Sequence, residues 1–341
     1  MGVPWGGRAV CAQGSVTLRS DILLYGDNTE FRNPFREGET IFGAAARVFA
    51  DLRLGPAAAI SLGVFGKQRF GDERALEQVR PVIALTVGGG RSRFVFGTLP
   101  AADPARPMGP DRGGPHGLLP ALQRETLAFE RAYEPGLAWR YAGDRLSHTL
   151  WLEWQRLNTA AHRERFDGGV EGRVSFSRQI AVPFQLHVVH EGGQQFASGP
   201  VTDSAAGALG IAFTRGIVEL EWYGLAGKSV PDRERPSDDR NGRAWLARAA
   251  VERQGWRAHA LVWRGRDFIK DEGDANYGSL RRDGHRYGGT RDYAEAGLAR
   301  RFNVAPGAVM EVSGRLHRTE RFYEYSYRVI AIASVRTPLG K

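Results

Sequence analysis

The sequence predicts an all-β protein, a transmembrane antiparallel up-and-down β-barrel of about 16 strands. Three observations predict this fold. Apolar residues recur at every second position in short runs from residue 16 to residue 335, charged residues keep to the alternate positions, and short turns alternate with long polar loops between the runs. A period of two places the two sets on opposite faces of a strand, so closure gives an apolar outside and a polar inside.

The run over residues 42–54 shows the pattern clearly. Its even-numbered residues are all apolar, whereas Arg47, Asp51 and Arg53 stand among the odd-numbered ones. The same separation recurs in the runs 150–155, 170–176, 182–188, 218–223, 256–262 and 308–315. A charge facing lipid at the bilayer midplane costs about 2–4 kcal/mol, which explains why the charges share one face.

The connections fall into two length classes. The short ones, several of them with Gly, Asp or Pro, are expected near 55–56, 88–90, 143–145, 177–179, 214–216, 254–255 and 303–307. The long ones are expected near 26–38, 71–76, 100–134, 157–168, 191–206, 226–242, 265–291 and 317–323. This alternation is typical of barrels with short periplasmic turns and long extracellular loops.

The length of 341 residues suits one barrel domain, placed at residues 14–339. No apolar run reaches the roughly 18 residues of a transmembrane helix. Residues 1–13 form a separate N-terminal segment. Val10 and Ala12 flank Cys11 as in a signal-peptidase site, so we interpret this segment as the remnant of a signal peptide, with a disordered terminus as the alternative. Cys11 is the single cysteine and allows no intramolecular disulfide.

The net charge is +9, and nearly all of the positive charge is arginine. These arginines stand singly among acids at alternate strand positions rather than in a tail or along one helix. The pattern therefore favours a polar lumen over a nucleic-acid surface, and no nucleic-acid partner is expected.

At this size the chain resembles a Gram-negative outer-membrane β-barrel of the sixteen-stranded, porin-like class. The resemblance is architectural, covers nearly the whole chain and includes no diagnostic motif; the last strand runs on into Thr337–Lys341 instead of ending at an aromatic residue. It implies an integral protein of the bacterial outer membrane, surrounded by outer-membrane lipid and lipopolysaccharide. It also implies that the third long loop, residues 100–134, folds into the lumen, with a mobile surface loop as the alternative.

The candidate pore-lining residues are the charged residues at inward positions. They are Arg47, Asp51, Arg53, Arg69, Arg80, Arg140, Glu153, Glu171, Arg173, Glu219, Glu221, Arg248, Glu252, Arg257, Glu311, Arg315 and Arg328. The candidate constriction residues on the third loop are Asp103, Asp111, Glu125 and Glu130. Arginine-rich pores favour anions, although Arg–Glu pairs that only stiffen the wall are the alternative.

The leading functional hypothesis is a channel for passive diffusion of small hydrophilic solutes, preferentially anions. One alternative is an export conduit for an acidic polysaccharide, since alginate-type export channels also line their pores with arginine. Another is a plugged structural barrel that belongs to an envelope complex. A homo-oligomer remains open under each hypothesis.

Catalysis and metal binding find little support in the sequence. It contains no Gly-x-Ser-x-Gly, His-Glu-x-x-His or Walker motif. His148 and His190 fall at outward positions, as in some outer-membrane lipases, but Ser147 faces the other way. The stretches 26–30 and 271–274 offer oxygens to Ca²⁺ without the spacing of a calcium loop, so solvated turns are expected there. We therefore expect no enzyme, metal or cofactor.

Overall fold

The computed structural model describes residues 15–100, 114–193, 195–196 and 198–339. Sixteen antiparallel strands form a closed barrel in chain order, and the first strand pairs with the last. This confirms the predicted fold. The strands are β1 Val16–Glu30, β2 Glu39–Gly55, β3 Ala58–Arg69, β4 Gln78–Gly89, β5 Ser92–Thr98, β6 Pro135–Ala142, β7 Leu146–Arg156, β8 Glu164–Ser175, β9 Ile180–Gly192, β10 Thr202–Arg215, β11 Val218–Val230, β12 Arg240–Arg253, β13 Trp256–Arg266, β14 Thr290–Ala305, β15 Ala308–Thr319 and β16 Phe322–Leu339.

The seam between β1 and β16 is continuous from Val16 opposite Leu339 to Glu30 opposite Tyr325. Every strand therefore has a hydrogen-bonded neighbour on both sides. Closure removes the unpaired edges that an open sheet would present to lipid, where no water is available to satisfy them.

Several of the predicted loop boundaries are wrong, because strands extend into the loops expected at 26–38, 157–168, 191–206, 226–242 and 317–323. The long loop expected at 317–323 is a two-residue turn, Glu320 and Arg321, in which Glu320 has a left-handed φ of 56°. The polar residue His317 belongs to β15 because its side chain finds partners inside the barrel. Likewise β1 continues through 26–30, where a loop was expected, because Asp27 pairs with Arg328 in the lumen.

The outer face of the barrel is apolar. Leu209, Ile211 and Leu316 are 61%, 59% and 68% exposed on the side away from the lumen, and Trp222 and Trp256 lie among the exposed aromatic residues. An apolar outer face and a fully paired backbone are the two features that a bilayer demands. None of the helices in the described ranges is long and apolar enough to cross a membrane.

The largest hydrophobic core lies inside the barrel. Residues 114–134, called the plug segment below, follow β5 and fold into the lumen, where they include one helical turn, α1, at Leu127–Glu130. Leu118, Leu122 and Phe129 in this segment are completely buried. They pack against residues from wall strands on opposite sides of the barrel. The predicted constriction residues Asp103 and Asp111 lie outside the described residues, as does the N-terminal segment 1–13.

Candidate functional site

The plug segment is fixed to β2 and β3 through its own backbone. Arg47 donates hydrogen bonds to the carbonyl oxygens of Leu99 and Ala132, and the Lys67 Nζ donates to the carbonyl oxygen of Glu130 at 2.7 Å. Both cations are almost fully buried. Buried charges need such partners, so these two wall residues determine where the end of the plug segment lies.

Glu125 fixes the plug segment to the last two strands. Its carboxylate accepts hydrogen bonds from Arg315 of β15 at 3.1 Å and from Arg328 of β16 at 2.8 Å. Arg328 also pairs with Asp27 of β1, and Arg315 lies 3.6 Å from Glu295 of β14. The predicted constriction residue Glu125 is thus held between two of the predicted lumen arginines.

Arg131 attaches the plug segment to the other side of the barrel, across from Glu125. Its guanidinium lies 3.1 Å from the Glu153 carboxylate of β7 and 3.4 Å from that of Asp167 on β8, and it also contacts Glu272 of the loop before β14. Burial opposes the charge on Arg131, but the three carboxylates raise its pKa above the usual value. One cation therefore holds together acids from three separate parts of the chain.

The described residues contain one group with metal-ligand geometry. Ligand atoms of Asp167, His187 and Glu272 lie within 4.8 Å of one another. His187 donates from Nδ1 to the carbonyl oxygen of Leu122 at 2.9 Å, and its other nitrogen faces Asp167 at 3.6 Å. Because Arg131 contacts both carboxylates of this group, a guanidinium already supplies the positive charge there.

A polar vestibule opens above the plug segment on the extracellular side. The cavity has a volume of about 430 Å³ and is lined by Arg124, Leu127, Glu130, Arg131, Gln155, Arg165, Asp271 and Glu272. Glu130, the other described constriction residue, pairs here with Arg124. Lys270 lies at the edge of this cavity, and burial lowers its pKa to about 8. Its Nζ donates a hydrogen bond to the carbonyl oxygen of Asp271 at 2.6 Å.

The periplasmic half of the lumen carries arginines that face one another. Arg19 is the direct cross-strand neighbour of Arg336, and Arg93 is that of Arg140. Asp51 compensates Arg19 at 3.4 Å. Two like charges directly opposite each other destabilise a sheet, so this region concentrates positive charge at a cost in stability.

All of the predicted pore-lining residues fall on the lumen side of the strand alternation. Many are paired with each other: Arg257 contacts Glu219 at 2.9 Å and Glu252 at 3.2 Å, and Arg248 bonds to Glu221. Arg173 lies 3.9 Å from the same Glu221. Arg69 bonds to Glu77 near the extracellular end of β3. Arg53, Arg80, Glu171 and Glu311 also lie on the lumen side. A role of the predicted pore-lining residues in conduction stays a prediction.

Sequence reasoning missed the group around Arg131. Asp167 was assigned to a loop, and Glu272 to a solvated turn. In the structure β8 begins at Glu164, and the Glu272 side chain is buried against Arg131 and Arg165. The acid-rich stretch 271–274 was therefore interpreted wrongly at Glu272, because only the folded loop brings this carboxylate to the arginines.

A second buried network lies behind the plug segment on β14, β15 and β16. Tyr293 donates to Glu295 at 2.7 Å, so its oxygen accepts from His317 Nδ1 at 2.7 Å, and Ser326 then donates to His317 Nε2 at 2.8 Å. These four side chains are 3–6% exposed, and the Phe31 ring packs edge-on against His317. The network is sealed from solvent and ties the three strands together.

One polar cluster lies on the outer face near the extracellular rim. Trp154, Phe166, His190 and Asp203 are successive cross-strand neighbours on β7 to β10. His190 donates from Nδ1 to Asp203 at 2.8 Å, and Arg233 grips the same carboxylate with two hydrogen bonds. The outward position predicted for His190 thus places it in a His–Asp pair beside the aromatic rings of Trp154 and Phe166 near the extracellular rim.

Solved structures with the same architecture are outer-membrane proteins. The loop L8 deletion mutant of OmpT from Vibrio cholerae superimposes with a TM-score of 0.60 at 11% identity, covering 95% of this chain and 100% of that one. The anion-selective porin from Comamonas acidovorans gives a TM-score of 0.55 at 9% identity, covering 94% and 100%. At these identities the likeness establishes the fold, that of an integral barrel of the bacterial outer membrane.

No curated protein sequence matches the chain. The sequence model of one family does match, that of the lipid A 3'-O-deacylase type, and the match extends over residues 10–334. It spans nearly all of the barrel, including the vestibule, the plug segment and the outer-face cluster. The chain therefore belongs to the lipid A 3'-O-deacylase-type family.

Proposed function

We propose that this protein is an outer-membrane channel for small anions that is closed by the plug segment and conducts when that segment is displaced. The observation that carries the proposal is the layout of the lumen. A charged cavity lies on the extracellular side of a segment that crosses the barrel and packs against opposite walls, and arginines face one another in the lumen on its periplasmic side.

Arginine on the periplasmic side supports the preference for anions. Arg93, Arg140 and Arg336 face the lumen there, and Asp51 lies among them as a counter-charge already engaged by Arg19. An excess of fixed cations in a narrow wet passage raises the local concentration of anions and repels cations.

Displacement of the plug segment is compatible with an intact barrel. The strands are joined by a complete ladder of their own, whereas the plug segment is attached through side chains such as Arg47, Lys67, Glu125 and Arg131. Segments held this way open with a lower free energy than the sheet that surrounds them.

Planar-bilayer recording of the purified protein tests this proposal. Wild-type protein is expected to open rarely, and Arg131→Met to open much more often, with currents in a KCl gradient that reverse near the chloride potential. Arg124→Met, which removes a partly exposed pair on the same segment, serves as the control and should behave as wild type. Silence of wild type and Arg131→Met, with the barrel intact by circular dichroism, would refute the channel.

A second candidate function is hydrolysis of an ester-linked acyl chain on a lipid of the outer leaflet, the activity in the family's name. The His190–Asp203 pair favours it, because a carboxylate on Nδ1 orients the imidazole and leaves Nε2 free to take a proton from water. The pair lies on the outer face near the extracellular rim, where such a lipid would present its ester bonds.

Mass spectrometry of lipid A after incubation with the protein in vesicles tests the second candidate. His190→Ala is expected to reduce fatty-acid release about a hundredfold, whereas His148→Ala, at the other outward histidine, should not. Absence of release by wild-type protein, or equal release by the two variants, would exclude His190 as the general base. An acidic polysaccharide that blocks current in the bilayer would instead support the export conduit.

A further inference from the structure

We propose that the periplasmic mouth of the lumen contains a binding site for a phosphate-type oxyanion, formed by the cross-strand pair Arg93 and Arg140. The inference deepens the proposed channel by naming a ligand class for its periplasmic side. Occupancy of the site does not depend on conduction, because both residues lie on wall strands rather than on the plug segment.

The geometry of the pair supplies the first argument. Arg93 of β5 lies directly opposite Arg140 of β6, and directly opposed residues have Cβ atoms about 4.5–5.5 Å apart. Both side chains are solvent-exposed on the lumen side. Two guanidinium groups at that spacing can each present two parallel N–H donors to one tetrahedral oxyanion.

The charge around the pair supplies the second argument. Within the described part of the chain, no carboxylate forms an ion pair with Arg93 or Arg140. Arg19 and Arg336 add repulsion at Arg93 from another part of the wall, and Asp51 offsets it only in part. A sheet tolerates opposed like charges poorly, so an anion held between them would relieve a repulsion that the protein alone leaves in place.

The third argument distinguishes this pair from lumen arginines that have carboxylate partners within the protein. Arg257, Arg248 and Arg315 each have a carboxylate partner on a neighbouring strand or on the plug segment. Arg91, in the turn just before Arg93, is likewise satisfied by Asp144. Arg93 and Arg140 therefore offer a site for an external anion, whereas Arg257, Arg248, Arg315 and Arg91 are engaged within the protein.

Isothermal titration and thermal unfolding of the detergent-solubilised protein with inorganic phosphate test the site. Wild-type protein is expected to bind phosphate in preference to chloride and acetate, and to gain thermal stability as phosphate is added. Arg140→Gln should weaken phosphate binding at least tenfold. It should also unfold at a higher temperature than wild type without phosphate, because one of the two repelling charges is gone.

Arg91→Gln is the matched control, since it removes an arginine at the same end of the barrel, and its phosphate affinity should stay within twofold of wild type. Equal phosphate binding by Arg140→Gln and wild type would overturn the site, as would a wild-type protein that does not distinguish phosphate from chloride. If Arg140→Gln fails to fold, Arg140→Lys keeps the charge without the planar donors and should still lose most of the preference for phosphate over acetate. Phosphate binding without conductance would leave the site standing and refute the channel, and conductance without phosphate binding would do the reverse.

Discussion

Replacing Arg131 with methionine is expected to destabilise the docked plug segment by about 3–5 kcal/mol, the cost of leaving buried charges without their partner. The guanidinium separates the carboxylates of Glu153, Asp167 and Glu272. Without it, these acids remain close together with Arg165 as the cation that still contacts Glu272. Methionine retains much of the side-chain volume, so the effect reports charge rather than a cavity.

Hydrogen exchange followed by mass spectrometry measures this loss at the plug segment itself. Amides of residues 114–134 should exchange far faster in Arg131→Met, while those of the strands should keep wild-type rates. Arg124→Met is the control on the same segment. Its pair with Glu130 is partly exposed and contributes about 1 kcal/mol or less. Unchanged exchange in Arg131→Met would show that Arg131 does not hold the segment in place.

Phe129→Ala is expected to cost about 3–5 kcal/mol, as for other large side chains removed from a core. The ring is completely buried and stacks on Tyr25 of β1 with ring centres 5.0 Å apart. Ile330 and Ile332 of β16 complete its pocket. The truncation leaves a cavity between the plug segment and the seam of the barrel.

Urea unfolding in detergent, followed by tryptophan fluorescence, measures the Phe129→Ala effect, and hydrogen exchange locates it. Phe70→Ala is the matched control because Phe70, the residue directly after β3, is 61% exposed. Its effect should stay below about 0.5 kcal/mol. If both truncations cost the same, Phe129 would not anchor the plug segment.

The sequence allowed prediction of the barrel because alternation and loop length are local properties. The alternation over residues 42–54 in β2 assigns a face to each residue without knowledge of its neighbours. The attachment of the plug segment is different, since it depends on residues far apart in the chain. Arg131 and Glu272 are 141 residues apart, and no local sequence pattern predicts their contact.

For the candidate site too, the sequence predicted which face each residue occupies but not which residues meet. The alternation of inward and outward positions along the strands predicted that Arg315 and Arg328 face the lumen. The prediction that the third long loop folds inward placed Glu125 there as well. Prediction of a single cluster of these three residues would have required knowledge of the strand order around the barrel. His317 shows the converse error, because a polar residue near a strand end was interpreted as loop, although its partners Tyr293 and Ser326 lie on the adjacent strands.

The closure of β1 on β16 has a consequence for biogenesis. Asp27 and Arg328 meet across the seam although 301 residues separate them in the chain. β1 can therefore pair with β16 only after the last strand has been synthesised, and such non-local pairing is slow to form. Glu125 depends on the same two final strands, through Arg315 and Arg328. Sealing of the wall and docking of the plug segment are therefore both late events in the folding of the chain.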